Sequence, residues 1–236
     1  MTDFLFNGGC IWGFFEYIGT IKYLKNNKID IGKIYGVSSG SAIALCLLLD
    51  IDIDELTEFC IKVVTEFKTF TELHIMGCEF VLKKIPDAYK IANDRLHIGI
   101  TSKDKFYFKN TYTSNLDLAN TIICSSSIPI LSSYETICDT VPTIDGGFSF
   151  RQEYVPKNVI VIRPTATFPI SAIPPSDVIQ KLLILLGYHK AEGFIFTQNN
   201  RIGDEWYTDP RLIELWFYLY ANCSIFERKR INDVKL

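Results

Sequence analysis

Three glycine-centred motifs carry the residues best suited to chemistry. Gly36-Val37-Ser38-Ser39-Gly40 is a G-x-S-x-G pattern between an apolar run and a helical stretch. A serine on a sharp strand-to-helix turn is held in a strained backbone conformation with its oxygen aimed into a cleft. The residues two before and two after it crowd each other, so both must be small. The following helix turns free N–H groups and its positive dipole end toward a reacting carbonyl. The N–H of Ser39 is a natural donor to an oxyanion. Gly8-Gly9-Cys10-Ile11-Trp12-Gly13 is a second turn from a strand into a helix. Glycines there let main-chain N–H groups approach an anion. Its spacing is not the G-x-G-x-x-G of dinucleotide sites, and a plain tight turn is the other reading. Asp145-Gly146-Gly147 ends an extended segment, where Asp-Gly also signals a hairpin turn.

The elements that must position these motifs follow from the apolar pattern. Phe4–Phe6 reads as a buried strand ending at Asn7-Gly8-Gly9. Ile11 to about Lys25 has helical spacing, Ile34–Val37 reads as a second strand, and Ala42–Leu49 as a buried helix. This alternation is that of a parallel α/β sheet. Leu56, Phe59, Cys60, Val63, Val64 and Phe67 share one helix face, capped by Asp52 or Asp54. Leu96–Thr101 and Phe106–Phe108 read as strands about Ser102-Lys103-Asp104, and Leu116–Cys124 as a helix. Thr136–Ile144 reads as extended, Val159–Ile162 as a strand, and Pro164–Pro175 as a loop. Val178–Leu186 and Arg211–Phe226 read as helices, the last docking through its apolar stripe.

Taken together, the three motifs resemble those of the patatin-like phospholipases. The family carries a Gly-rich oxyanion loop, then G-x-S-x-G, then Asp-Gly-Gly or Asp-Gly-Ala, in the order found here. Ala119-Asn120-Thr121 through Ser125-Ser126-Ser127-Ile128-Pro129 looks like the family's helix and serine turn. The resemblance spans roughly residues 4–150. It implies a three-layer α/β/α fold with a mainly parallel central sheet. Residues 1–236 are expected to form one domain, the part 151–236 docking on the same core through the apolar stripe of its last helix. It implies Ser38 as nucleophile, Asp145 as its base, and Gly8, Gly9 and Cys10 as oxyanion donors. Gly13, Gly36, Ser39, Gly40, Gly146 and Gly147 would support the motifs. Cys10 stands where the family usually has a third glycine, and Phe148-Ser149-Phe150 is more aromatic than usual.

A free aspartate side chain titrates at about pH 3.9 and is ionised at neutral pH. It accepts a serine proton when within hydrogen-bond reach, and an apolar cleft strengthens it as a base. The implied reaction is attack of Ser38 on an ester, an acyl-enzyme, and hydrolysis by water activated by Asp145, with no metal and no cofactor. A Ser–acid–His triad is the competing arrangement. His189 could complete it, but an α/β-hydrolase places several strands before its serine, and Ser38 has room for one strand–helix unit. His97, inside an apolar strand, reads as a packed residue.

Composition narrows the partners. The chain has 236 residues, 48% of them hydrophobic, enough for a sizeable core. A net charge of −3 and a pI near 5.7 give no reason to expect nucleic acid. Seven cysteines without a CxxC pair argue against a zinc ribbon and point to a reducing, cytoplasmic setting. Asp50-Ile51-Asp52-Ile53-Asp54 starts like a calcium loop, but Glu55 stands at its sixth position and Ile61 at its twelfth. No signal peptide or membrane span is visible, so membrane contact is expected to be peripheral. Trp12, Phe14, Phe15, Phe148 and Phe150 beside the motifs favour a fatty-acyl ester, and Arg228-Lys229-Arg230 is a small basic tail. The expected function is a lipid acyl hydrolase of the phospholipase A or lysophospholipase type. A catalytically silent lipid-binding or regulatory protein on the same fold is the alternative.

Overall fold

The computed structural model describes residues 1–103, 105–129, 131–132, 136–165, 170–172, 174–197 and 201–202. Among the described residues its centre is a sheet of six strands: β1 (Thr2–Phe6), β2 (Ile31–Val37), β3 (Leu96–Ser102), β4 (Lys105–Lys109), β7 (Ile160–Ile162) and β8 (Arg201–Ile202), in the order β4-β3-β2-β1-β7-β8. All neighbours run parallel except β3 and β4, which form an antiparallel hairpin at one edge. Central strands of such a sheet are buried on both faces, so they read as unbroken apolar runs rather than alternating ones. Phe4 and Phe6 point into the main core, while Leu5 between them joins Tyr35, Val159 and Val161 on the opposite face.

Helices pack on this sheet, as expected of an α/β fold: α1 (Cys10–Asn26), α2 (Ser39–Leu48), α3 (Ile53–Glu66), α4 (Phe70–Leu82), α5 (Ala88–Ala92), α6 (Asn115–Ser125) and α7 (Asp177–Thr197). Their starts follow from side-chain caps. Asp52, rather than Asp54, accepts the N–H of Glu55 at the head of α3 (2.9 Å). Thr69 caps α4 through the N–H of Glu72 (3.2 Å), and Glu72 reaches back to the N–H of Lys68 (2.8 Å), a variant of the capping box. Ser114 caps α6.

α7 runs well beyond Leu186 and lies tightly across α1. A Cβ on Gly19 would sit 1.8 Å from the carbonyl oxygen of Ile184, and one on Gly187 would sit 1.7 Å from that of Glu16. Only glycine permits that approach. A buried ion pair between Lys190 of α7 and Glu16 of α1 anchors the crossing.

Three local readings differ from the structure. α4 and α5 are elements that the apolar pattern leaves unassigned. Thr136–Ile144 is not one extended segment: it folds into a hairpin of β5 (Thr136–Cys138) and β6 (Val141–Thr143). Asp139 and Thr140 turn it with φ of 49° and 68°, the left-handed pair of a type I′ turn without glycine. The loop between Pro164 and Pro175 contains a short 3-10 turn, Ile170–Ala172. Arg211–Phe226 and the basic tail lie outside the described residues. Among the described residues, no helix is long and apolar enough to cross a membrane.

Candidate active site

β2 ends at Val37 and α2 begins at Ser39, so Ser38 occupies the turn alone. Its φ of 55° and ψ of −133° are a strained combination for a residue with a side chain. Neighbours hold it there. The Ser38 N–H donates to Oγ of Ser125 (2.9 Å), whose hydroxyl donates to the carbonyl of Gly99 (2.6 Å). The Ser38 carbonyl accepts both the N–H (2.8 Å) and the hydroxyl (2.6 Å) of Ser41. The flanking glycines are required sterically: a Cβ on Gly36 would lie 2.4 Å from Cα of Ser41, and one on Gly40 would lie 2.2 Å from the carbonyl oxygen of Phe6.

The Ser38 hydroxyl donates to Oδ2 of Asp145 at 2.5 Å, across 107 positions of sequence. Asp145 is set in turn. Its N–H donates to the carbonyl of Ser127 (2.8 Å), and its Oδ1 accepts the N–H of Gly147 (2.7 Å). Gly146 is buried, its carbonyl accepting the hydroxyl of Thr101 (3.2 Å). Ser38 and Asp145 are only 6% and 5% exposed. Burial pushes the Asp145 carboxyl up to about 6, against the opposing pull of its bonds from Ser38 and Gly147.

The N-terminal loop lies against this pair. A Cβ on Gly8 would touch Cβ of Ser38 at 3.2 Å. Two of its N–H groups have acceptors: Gly8 donates to Oδ1 of Asn7 (2.9 Å) and Gly9 to the hydroxyl of Ser39 (3.0 Å). Cys10 opens α1 with a φ of 48°, a conformation that favours glycine. Burial pushes its thiol up to about 11; Ser171 counteracts this and the charge of Asp145 adds to it. Gly13 lets α1 lie close to Pro164.

Beside the site is a cavity of about 950 Å³, counting its open mouth, between α1, α2, α3, α4 and α6. Cys10 and Ser39 belong to its wall, so it adjoins Ser38; Phe14 and Phe15 line it further. The other aromatic residues near the motifs go elsewhere. Trp12 is core, Phe148 is 52% exposed, and Phe150 packs on Phe106 with ring centroids 5.1 Å apart. His97 stacks on Tyr35 (4.5 Å), and His189 pairs through Nδ1 with Glu192 (3.0 Å). Among the described residues, no group of three or more His, Cys, Asp or Glu is arranged to hold a metal.

The serine run is visible in the sequence, but not that Ser125 is the member holding Ser38. The sequence places Asn7 only in the turn after the first strand, yet it takes the Gly8 N–H on its side chain and the Tyr17 hydroxyl on its carbonyl (2.6 Å). The position of Asn7 directly before Gly8-Gly9 is the signal that could have found it.

Comparison with known proteins sets this geometry in a family. Among solved structures the fold is similar to VipD from Legionella pneumophila, with 12% identity and a TM-score of 0.48 over 84% of this chain and 55% of that one. It is also similar to a chain of the ExoU–SpcU complex from the type III secretion system of Pseudomonas aeruginosa, with 11% identity and a TM-score of 0.44 over 84% and 51%. The chain thus spans about half the length of each. No curated protein sequence matches it. Residues 4–151, more than half of the chain, match the patatin-like phospholipase sequence pattern, and the chain belongs to the patatin-like phospholipase family.

Proposed function

We propose that this chain hydrolyses carboxylic esters of lipids through a Ser38–Asp145 dyad. The observation that carries the reading is the 2.5 Å bond from a strained, buried serine to a buried aspartate, beside an apolar cavity. Ser38 Oγ attacks the ester carbonyl carbon while its proton passes to Asp145 Oδ2. The oxyanion is met by main-chain N–H groups of Gly8, Gly9, Cys10 and Ser39, at the N-terminal ends of α1 and α2. For Gly9 to serve, the Ser39 hydroxyl must rotate away; for Gly8, the Asn7 side chain must. Collapse of the tetrahedral species expels the alcohol, which takes the proton from Asp145. Water then attacks the acyl-enzyme, Asp145 accepts its proton, and Ser38 regains it as the fatty acid leaves.

The apolar cavity supports a fatty-acyl chain as the group transferred. The docking of α7 on α1 supports reading residues 177–197 as part of the same unit as the motifs. We place the chain in the cytoplasm, meeting its lipid peripherally at a membrane surface.

A catalytically silent lipid-binding protein is the second reading. It is favoured by Cys10 at a positive φ and by the occupied N–H groups of the loop. Fluorophosphonate labelling and turnover of a short-chain ester separate the two. The dyad reading expects labelling lost in Ser38→Ala, and turnover lost in both Ser38→Ala and Asp145→Asn. A folded wild-type protein that neither labels nor turns over establishes the binding reading instead.

A further inference from the structure

Among the described residues of the cavity wall, His74 is a polar side chain without a polar partner. α4 turns Phe70, Leu73, His74, Gly77, Cys78 and Val81 toward the space, the spacing of one helix face. The two serine hydroxyls of the lining are already partnered: Ser39 accepts from Gly9, and Ser126 donates to the carbonyl of Ile122 (3.0 Å). His74 forms no hydrogen bond or ion pair among the described residues. Its ring has an edge contact with Phe70, centroids 6.5 Å apart. No Lys, Arg, Asp or Glu is among the described lining residues.

Burial lowers the imidazole to about 4, so the ring is neutral near pH 7. A neutral ring offers one N–H donor and one nitrogen acceptor. A plain alkyl chain filling the cavity would expel water and leave both unmatched, which is costly in an apolar site. A neutral oxygen on the chain would match them. A carboxylate or phosphate would not be served, because the wall offers it no cation.

We propose that His74 is a specificity-determining residue, which favours acyl chains bearing a hydroxyl or keto oxygen part-way along an otherwise apolar chain. This rests on reading the cavity as the acyl site of the Ser38 esterase.

Binding tests it independently of turnover. In the Ser38→Ala protein, a fluorescent acyl probe is displaced by methyl stearate or by methyl stearates hydroxylated at successive mid-chain carbons. At the carbon nearest His74 the hydroxylated ester should bind about tenfold tighter than the parent, the scale of one buried hydrogen bond. His74→Leu should abolish or invert that preference, and His74→Gln, which keeps a donor and an acceptor, should retain much of it. Equal binding at every position, or a preference unchanged in His74→Leu, overturns the proposal. Short-ester turnover by the protein with Ser38 intact reports separately on the dyad. Preference without turnover would leave His74 as the selector in a lipid-binding protein, and turnover without preference would refute His74 alone.

Discussion

Two buried carboxylates are treated in opposite ways. Glu16, 2% exposed on α1, pairs with Lys190 of α7 and also accepts the N–H (2.8 Å) and hydroxyl (3.3 Å) of Thr165. Lys190 is completed by the carbonyl of Arg163 (2.8 Å) and the hydroxyl of Thr165 (3.1 Å). Asp145, 5% exposed, has one hydroxyl and one N–H, and no cation pairs with it among the described residues. A buried carboxylate that meets a cation and further donors stitches two helices together. One without a cation is kept poorly solvated, and the unmet charge makes it a better base.

The comparison breaks first at Asp145. Asp145→Asn or Ser38→Ala should lower ester turnover by roughly 10⁴-fold while the fold persists, since the parts of such a machine fail together. Purified variants assayed on a short-chain ester check this, with circular dichroism confirming the fold.

At Glu16 the large effect should be on stability instead. Glu16→Ala leaves Lys190 buried and unpaired, and should cost about 3–5 kcal/mol in urea unfolding. Glu16→Met with Lys190→Leu removes both charges and should recover most of that loss. If the single variant is as stable as the wild type, Glu16 is not the structural counterpart of Asp145.

The pH dependence sharpens the same contrast. The Asp145 carboxyl titrates higher in the fold, about 6, than in the unfolded chain, about 3.8. The folded state therefore holds the extra proton between those values, and stability falls as pH rises through this window. Asp145→Asn should remove that loss, stabilising the protein by about 1–3 kcal/mol at neutral pH and by little below pH ~4. Turnover should move the other way, rising as the base ionises near pH ~6 and flattening above. A pH series of melts and rates tests both signs together.

The smallest effect is expected at Cys10. Cys10→Gly relieves a positive φ and should raise stability by about 1 kcal/mol, with turnover equal or higher. A slower variant would mean that the thiol side chain itself supports the loop.

Sequence alone carried what short-range sterics dictate. The G-x-S-x-G turn was legible because Gly36 answers clashes within five residues, although Gly40 answers the carbonyls of Phe6 and Asn7 at the end of β1, and the strand–turn–helix alternation because parallel strands demand apolar runs. The cap of α3 is likewise local. The partnership of Ser38 with Asp145 came from motif resemblance, since nothing local joins positions 107 apart. Only the tertiary structure decided which serine holds the Ser38 backbone, that Lys190 answers Glu16, and that α4 closes a cavity with His74 in its wall. Those outcomes depend on how helices cross and which faces meet, and Gly19 and Gly187, unremarkable in sequence, set the closest of those crossings.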